Sequence, residues 1–153
     1  MVAEYASLSG NRKIETLAIK KDQIDFKNAI IRTQRAKQRG WKIKTDLIEI
    51  TPKMEALLLK IPSLSRNSNN LFPTMKNTRY TSSDFRTMWN KCILDAIKHG
   101  IMNESERFTF HDLRAYYTTP HKLQSGTLPD IHANPATTAR IYERSGQSKR
   151  SAL

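Results

Sequence analysis

The stretch Phe108–Tyr117, FTFHDLRAYY, places a histidine and an arginine, His111 and Arg114, three residues apart among aromatic neighbours. On a helix that spacing sets both side chains on one face of one turn. Other residues share their chemistry. Arg12 follows a Gly-Asn turn, the segment 35–44 (RAKQRGWKIK) is rich in Lys and Arg, and Tyr142 stands near the C-terminus behind HANPATTARI. Singly, each has an ordinary reading: a surface arginine, a satisfied core histidine, a solvated turn, a packed tyrosine. Together they suit the breaking of a phosphodiester. That step builds charge on the nonbridging oxygens, and two guanidiniums clamp such oxygens with fixed geometry and permanent charge. A tyrosine can attack the phosphorus and hold it covalently. A lysine on a hairpin can protonate the leaving 5′ oxygen, and a histidine can take the tyrosine's proton or hydrogen-bond the phosphate.

Charge points the same way. Lys and Arg number 26 against 14 Asp and Glu, a formal net charge of +12 over 153 residues. Such an excess repels itself unless a polyanion binds it, and nucleic acid is the first candidate. An anionic membrane surface or an acidic protein is the alternative. Apolar residues make up 38% and charged residues 26%, a globular profile in a length that suits one domain. Cys92 stands alone, which excludes an internal disulfide, and its apolar surroundings predict a small buried side chain. No Cys/His cluster has metal-ligand spacing, no cofactor is implied, and no metal is expected. The start MVAEYASLSG lacks the pattern of a signal peptide, and the longest apolar run is far too short to cross a bilayer. The expected location is cytoplasmic, with no membrane partner.

The elements that must position these groups are partly written in the pattern. Val2–Leu8 and Lys13–Ile19 read as short helices around SGNR. QIDFKNAIIRTQ reads as a strand, a turn at Lys27-Asn28 and a second strand, and DLIEIT (46–51) as a third. Between the second and third strands lies the basic segment, with Arg35, Lys37, Arg39, Lys42, Lys44 and Trp41 and no acid among them, which predicts contact with a polyanion. Pro52 opens a helix with Met54, Leu57, Leu58 and Ile61 on one side, and Pro62 ends it. Residues 82–100 form the clearest helix, capped by Ser82 or Ser83 and stopped by Gly100, with Phe85, Met88, Trp89, Cys92, Ile93 and Ile97 as core. HDLRAYYTT reads as a helix ended by Pro120, LQSGTLPDIHANP as loop, and ATTARIYER as a short helix before a basic tail at 146–153. The class is α+β, mostly helical with a small three-stranded antiparallel sheet.

In these motifs the sequence resembles the catalytic domain of the tyrosine recombinases, the phage-integrase family. LSGNRKIETLAI (8–19) is similar to the family's first box, Thr/Ser-Gly-x-Arg-x-x-Glu-x-Leu, with Arg12 as its arginine and Glu15 as the supporting acid. TQRAKQRG (33–40) resembles the hairpin that carries the general-acid lysine, with Lys37 the best match and Lys42 and Lys44 as competitors. HDLR (111–114) matches the second box residue by residue. HANPATTARIY (132–142) resembles the last, with His132 as the third-box histidine and Tyr142 as the nucleophile. Asp130-Ile131 stands where the family usually has Leu-Gly before that histidine. The resemblance spans residues 5 to 145.

It implies the family's DNA breaking-rejoining fold over 1–153, without the N-terminal core-binding and arm-binding domains. It further implies a metal-independent DNA strand transferase that works through a 3′-phosphotyrosine and integrates or excises a mobile element or prophage. Arg12, Lys37, His111, Arg114, His132 and Tyr142 would be catalytic. Arg35, Arg39, Trp41, Lys42 and Lys44 would contact double-stranded DNA. The chain would be a monomer when free and self-associate on DNA into a synaptic tetramer, in a bacterial or phage-infected cell at the nucleoid. The alternatives are a catalytically impaired DNA-binding remnant, a type IB topoisomerase-like enzyme, and a generic basic nucleic-acid-binding protein.

Overall fold

A computed structural model describes residues 1–36, 45–62 and 67–126. The chain opens with α1 (Val2–Ser9) and α2 (Lys13–Ala18), joined by a turn in which Gly10 takes the left-handed conformation at φ 66°. The main-chain N–H of Arg12 donates to the Glu15 carboxylate at 2.7 Å, so an acid in the first turn of α2 satisfies an otherwise orphaned donor.

Three antiparallel strands follow in the order β1 (Ile24–Asp25), β2 (Ile30–Gln34) and β3 (Thr45–Glu49). The first turn spans residues 26–29, around the expected Lys27-Asn28. Asp25 holds it by accepting from the Asn28 main-chain N–H and side-chain amide. Register runs from Ile30↔Glu49 to Gln34↔Thr45, so β2 and β3 pair up to the root of the basic segment. Along β2, Ile31 and Thr33 are buried while Arg32 and Gln34 face out, the period of two that a half-covered sheet requires. The third strand ends earlier than expected because Thr51 is the cap of the next helix. Its hydroxyl accepts from the Met54 N–H, and Pro52 takes the first helical position of α3 (Pro52–Leu59).

Helix α1 divides two cores. Tyr5 joins an aliphatic core with Ile19, Ile31, Ile50, Met54, Leu57, Leu58, Ile61, Leu71 and Phe72, under the sheet and α3. Ala6, the next residue, joins a second core with Leu17, Phe85 and Phe110. That second core is aromatic: Phe110 meets Phe85 and Trp89 edge to face at 5.0 and 5.2 Å between ring centroids.

Helix α4 (Ser82–Lys98) starts one residue earlier than the sequence suggests. Thr81 is the cap, accepting from the Asp84 N–H at 3.1 Å. The expectation of a buried Cys92 is wrong, because that residue is exposed. The covered line runs through buried Phe85, half-buried Trp89 and buried Ile93, and each step of four residues turns about 40° around the helix. The line therefore slants away from Cys92, and the stripe expected as core is only partly covered. Helix α5 (Asp112–Ser125) also departs from expectation: it runs through position 120 and ends at Gly126, whose φ is 73° and whose N–H donates to the Lys122 carbonyl. A proline removes one helical hydrogen bond and biases the residue before it, yet packing can outweigh both. Here the N-terminal half of α5 lies against α1 with Arg114, Ala115 and Thr118 buried.

Candidate active site

The site grows from the α1–α2 turn. Gly10 turns the chain so that Arg12 opens α2, and Glu15, one turn later, points back beneath it. The Glu15 carboxylate accepts from the Arg12 N–H at 2.7 Å, from Arg12 Nη1 at 2.9 Å and from the Ala36 N–H at 3.0 Å. Arg114 Nη1 stands 3.9 Å from Oε2, the oxygen that takes the Arg12 main-chain N–H, and donates to the carbonyl of Gly10. One carboxylate thus gathers both arginines together with the residue that leads into the basic segment. Its environment keeps it charged. Burial pushes the Glu15 carboxyl up, but hydrogen bonds from the Arg12 and Ala36 main chain, with the Arg12 guanidinium's bond and charge, hold it below the usual carboxylate value.

The two guanidiniums differ in access. The Arg12 side chain keeps 19% of its surface exposed and the Arg114 side chain 4%. Arg114 is fixed from α5, whose first turn begins at His111. The Arg114 N–H donates to the His111 carbonyl, and Asp112 reaches back to accept from the Thr109 N–H and hydroxyl at 2.8 and 2.7 Å. His111 is exposed and borders a groove of about 560 Å³ lined also by Lys13, Arg86, Trp89, Arg107 and Phe108. The Phe110 ring beside it is anchored in the aromatic core, which sets where the first turn of α5 begins.

The structure therefore brings together Arg12, Glu15 and Arg114, with His111 on the first turn of the same helix as Arg114. Lys37, Arg39, Trp41, Lys42, Lys44, His132 and Tyr142 lie outside the described residues. Arg35 departs from the expected DNA-facing position. It is 8% exposed, and its Nε donates to both carboxylate oxygens of Asp46 at 2.8 Å. The reason is register: β2 and β3 pair to Gln34↔Thr45, which carries Arg35 to Asp46 at the hairpin root. Sequence reasoning missed Asp46, the Ala36 N–H and the backward reach of Asp112. Of these only Asp112 left a signal, as an acid in the first turn of a helix. Among the described residues, no group of three or more His, Cys, Asp or Glu is placed to hold a metal ion, and no helix is long and apolar enough to cross a membrane.

This arrangement defines a protein class. Residues 1–148 match the family described as the phage integrase family, and the chain belongs to it. Its fold is that of the tyrosine-recombinase catalytic domains, as the solved structures confirm. The Tn1549 transposon integrase in complex with circular intermediate DNA superposes with a TM-score of 0.70 at 17% identity, covering 92% of this chain and 52% of that one. The XerA recombinase gives 0.65 at 22%, covering 94% and 56%. A lambda integrase dimer bound to a COC′ core site gives 0.66 at 15%, covering 99% and 44%. The chain thus spans about half the length of the solved chains it matches. No curated protein matches it significantly.

Proposed function

We propose that this chain is the catalytic part of a site-specific DNA recombinase that cuts and rejoins double-stranded DNA through a 3′-phosphotyrosine, moving a mobile element or prophage. Tyr142 attacks the scissile phosphorus. The O5′–P bond breaks, and Lys37 delivers the proton that leaves with the 5′-hydroxyl. Arg12 and Arg114 hold the nonbridging oxygens as charge builds on them. His111 and His132 hydrogen-bond the phosphate and accept the tyrosine proton. The 5′-hydroxyl of a partner strand then attacks the phosphotyrosine and releases Tyr142, so bonds broken and formed balance without hydrolysis. Two permanent guanidinium charges supply the electrostatic stabilisation, and the mechanism calls on no metal. Arg39, Trp41, Lys42 and Lys44 bind the DNA backbone, copies of the chain meet on the DNA, and the reaction belongs to the compartment that holds the nucleoid.

The observation that carries this reading is the convergence of Arg12 and Arg114 on Glu15. Two arginines from distant parts of the chain are held by one buried acid, leaving Arg12 partly open to solvent, within a family of DNA integrases. The test is a nicked suicide duplex whose short 5′-hydroxyl fragment diffuses away after cleavage. The wild-type chain, given its site, should leave a denaturant-resistant adduct on a peptide containing Tyr142. Tyr142→Phe removes only the hydroxyl and should abolish the adduct while DNA affinity persists. An adduct formed at the wild-type rate by Tyr142→Phe would remove Tyr142 from its role. An adduct on Tyr116 or Tyr117 would leave the chemistry and move the nucleophile.

A further inference from the structure

Gly10 is more than a turn residue. Its left-handed conformation is shared by Gly100 at φ 68° and Gly126 at φ 73°, and at both of those an added Cβ would meet nothing within 4 Å among the described residues. Among the described residues, by contrast, a Cβ at Gly10 would lie 2.4 Å from Cδ1, 2.6 Å from Cε1 and 3.0 Å from Cγ of Tyr117. Real Cβ atoms do not approach a ring so closely, so α5 comes to the α1–α2 turn at a distance only a bare Cα permits. The same residue is held a second time from the same helix, because its carbonyl accepts from Arg114 Nη1. Tyr117 lies three residues after Arg114, on the adjoining turn of α5. Arg12 lies two residues after Gly10 and is bonded through both main chain and side chain to Glu15. A shift of the turn away from α5 would therefore carry Arg12 with it and leave Arg114 behind.

We propose that the Tyr117 ring against the bare Cα of Gly10 is a spacer that sets the separation of the Arg12 and Arg114 guanidiniums. Gly10 and Tyr117 are positioning residues for the phosphoryl step, and this role rests on the reading of the two arginines as a phosphate clamp. The contact is made by ring carbons, so the ring and not the hydroxyl does the spacing. Burial pushes the Tyr117 phenol up, and the Arg114 charge opposes this without reversing it, which keeps the ring a neutral wedge. Misplacing a catalytic group by about 1 Å costs on the order of 10²-fold in rate, while DNA affinity, spread over many phosphates, hardly changes.

The test uses the full chain and reads thermal unfolding, DNA affinity and the single-turnover rate of adduct formation. Gly100→Ala places a Cβ at the same positive φ without a neighbour, so it isolates the conformational strain. Gly10→Ala should match it in stability loss to within a few degrees beyond the added contact. Its adduct rate should nevertheless fall about 10²-fold, with affinity held within about threefold. Removing the ring in Gly10→Ala/Tyr117→Ala should recover the rate at least about tenfold over Gly10→Ala. Tyr117→Phe, the conservative change, should stay within about threefold of wild type. A Gly10→Ala rate that follows Gly100→Ala, or a double variant no faster than Gly10→Ala, overturns the spacer. If Gly10→Ala does not fold, Tyr117→Ala alone decides: an unchanged adduct rate overturns it. If the wild type forms no adduct, the clamp reading fails separately. The spacer is then read from the Arg114 guanidinium N–H resonances, which must shift in Gly10→Ala and return in the double variant; unshifted resonances overturn it.

Discussion

Two arginine–carboxylate pairs flank the end of β2, and they are built in opposite ways. In one, the carboxylate is the buried partner. Glu15 accepts from Arg12 twice and from Ala36 once, with Arg114 Nη1 at 3.9 Å. In the other, the arginine is the buried partner. Arg35 shares its Nε between the two oxygens of Asp46, whose side chain keeps 34% of its surface exposed. The first pair joins three elements, α2, the end of β2 and α5. The second joins the two strands of a single hairpin. An acid with several donors can hold two like charges close together, whereas an acid with one partner can only anchor it. The comparison separates a node that gathers the two arginines of the proposed phosphate clamp from a strut that fixes the hairpin root.

The largest expected effect lies at the clamp. Arg114→Ala should reduce adduct formation by about 10³-fold or more while weakening DNA binding only modestly, because the proposed mechanism sets this side chain where charge develops. Arg114→Lys should fail substantially too, since an ammonium lacks the planar fork. Cleavage within twofold of wild type would show that Arg114 is a structural arginine only. Arg35→Ala is the matched control. It should weaken the hairpin root and slow cleavage far less, and a loss as deep as that of Arg114→Ala would erase the distinction between node and strut.

Stability should separate the pairs next. Glu15→Ala leaves two guanidiniums near one another without their shared acid, one of them buried, and should cost about 3 kcal/mol. Asp46→Ala removes a partly exposed acid from a largely buried arginine at the hairpin root, where water can reach the vacated position, and should cost less, about 1–2 kcal/mol. Urea unfolding checks both. Equal losses would mean that Glu15 is no more than a second strut. Hydrogen exchange adds a local reading: Asp46→Ala should speed the amides of Gln34 and Ala36, whereas Glu15→Ala should speed Ala36 and also Thr16 in α2.

The node was more legible in the sequence than the strut, for a physical reason. Arg12 and Glu15 sit at helical spacing, as do His111 and Arg114, so each half was visible in local pattern. The Gly-Asn turn and the aromatic neighbours marked where the halves begin. That they meet follows from α1 packing on α5, for which the pattern offered only the family resemblance. The Arg35–Asp46 pair depends on hairpin register, which no local spacing encodes, and Arg35 was accordingly expected to face DNA. The end of α5 was misjudged because Pro120 is a strong local stop signal, whereas the helix is held by tertiary burial of Arg114, Ala115 and Thr118. Cys92 was misjudged because periodicity identifies a stripe without saying how much of it a neighbour covers. Thr81, one residue before the expected cap, shows the ordinary uncertainty of helix ends.

The finest test of the node is its dependence on pH. Glu15 has a folded-state pKa below its ordinary value of 4.5: burial raises it, and the Arg12 and Ala36 N–H bonds with the Arg12 guanidinium more than offset that. A carboxyl depressed by folding contributes stability that is fully present above its unfolded pKa and is lost as pH falls through the folded one. Glu15→Gln keeps the shape and removes the charge. The stability difference between wild type and Glu15→Gln should therefore be constant from neutral pH down to about 5 and shrink below about 4.5. Asp25 is also depressed, chiefly by the Asn28 side-chain and main-chain bonds and by Arg32, and would blur a measurement on the wild type alone. Because Asp25 is intact in both proteins, the difference cancels it. Urea unfolding at several pH values between about 3.5 and 7 supplies the curves. A difference that stays flat down to the acid end would mean that the charge on Glu15 is not what holds the arginines together. The hydrogen-bonding shape of the side chain would then account for the node by itself.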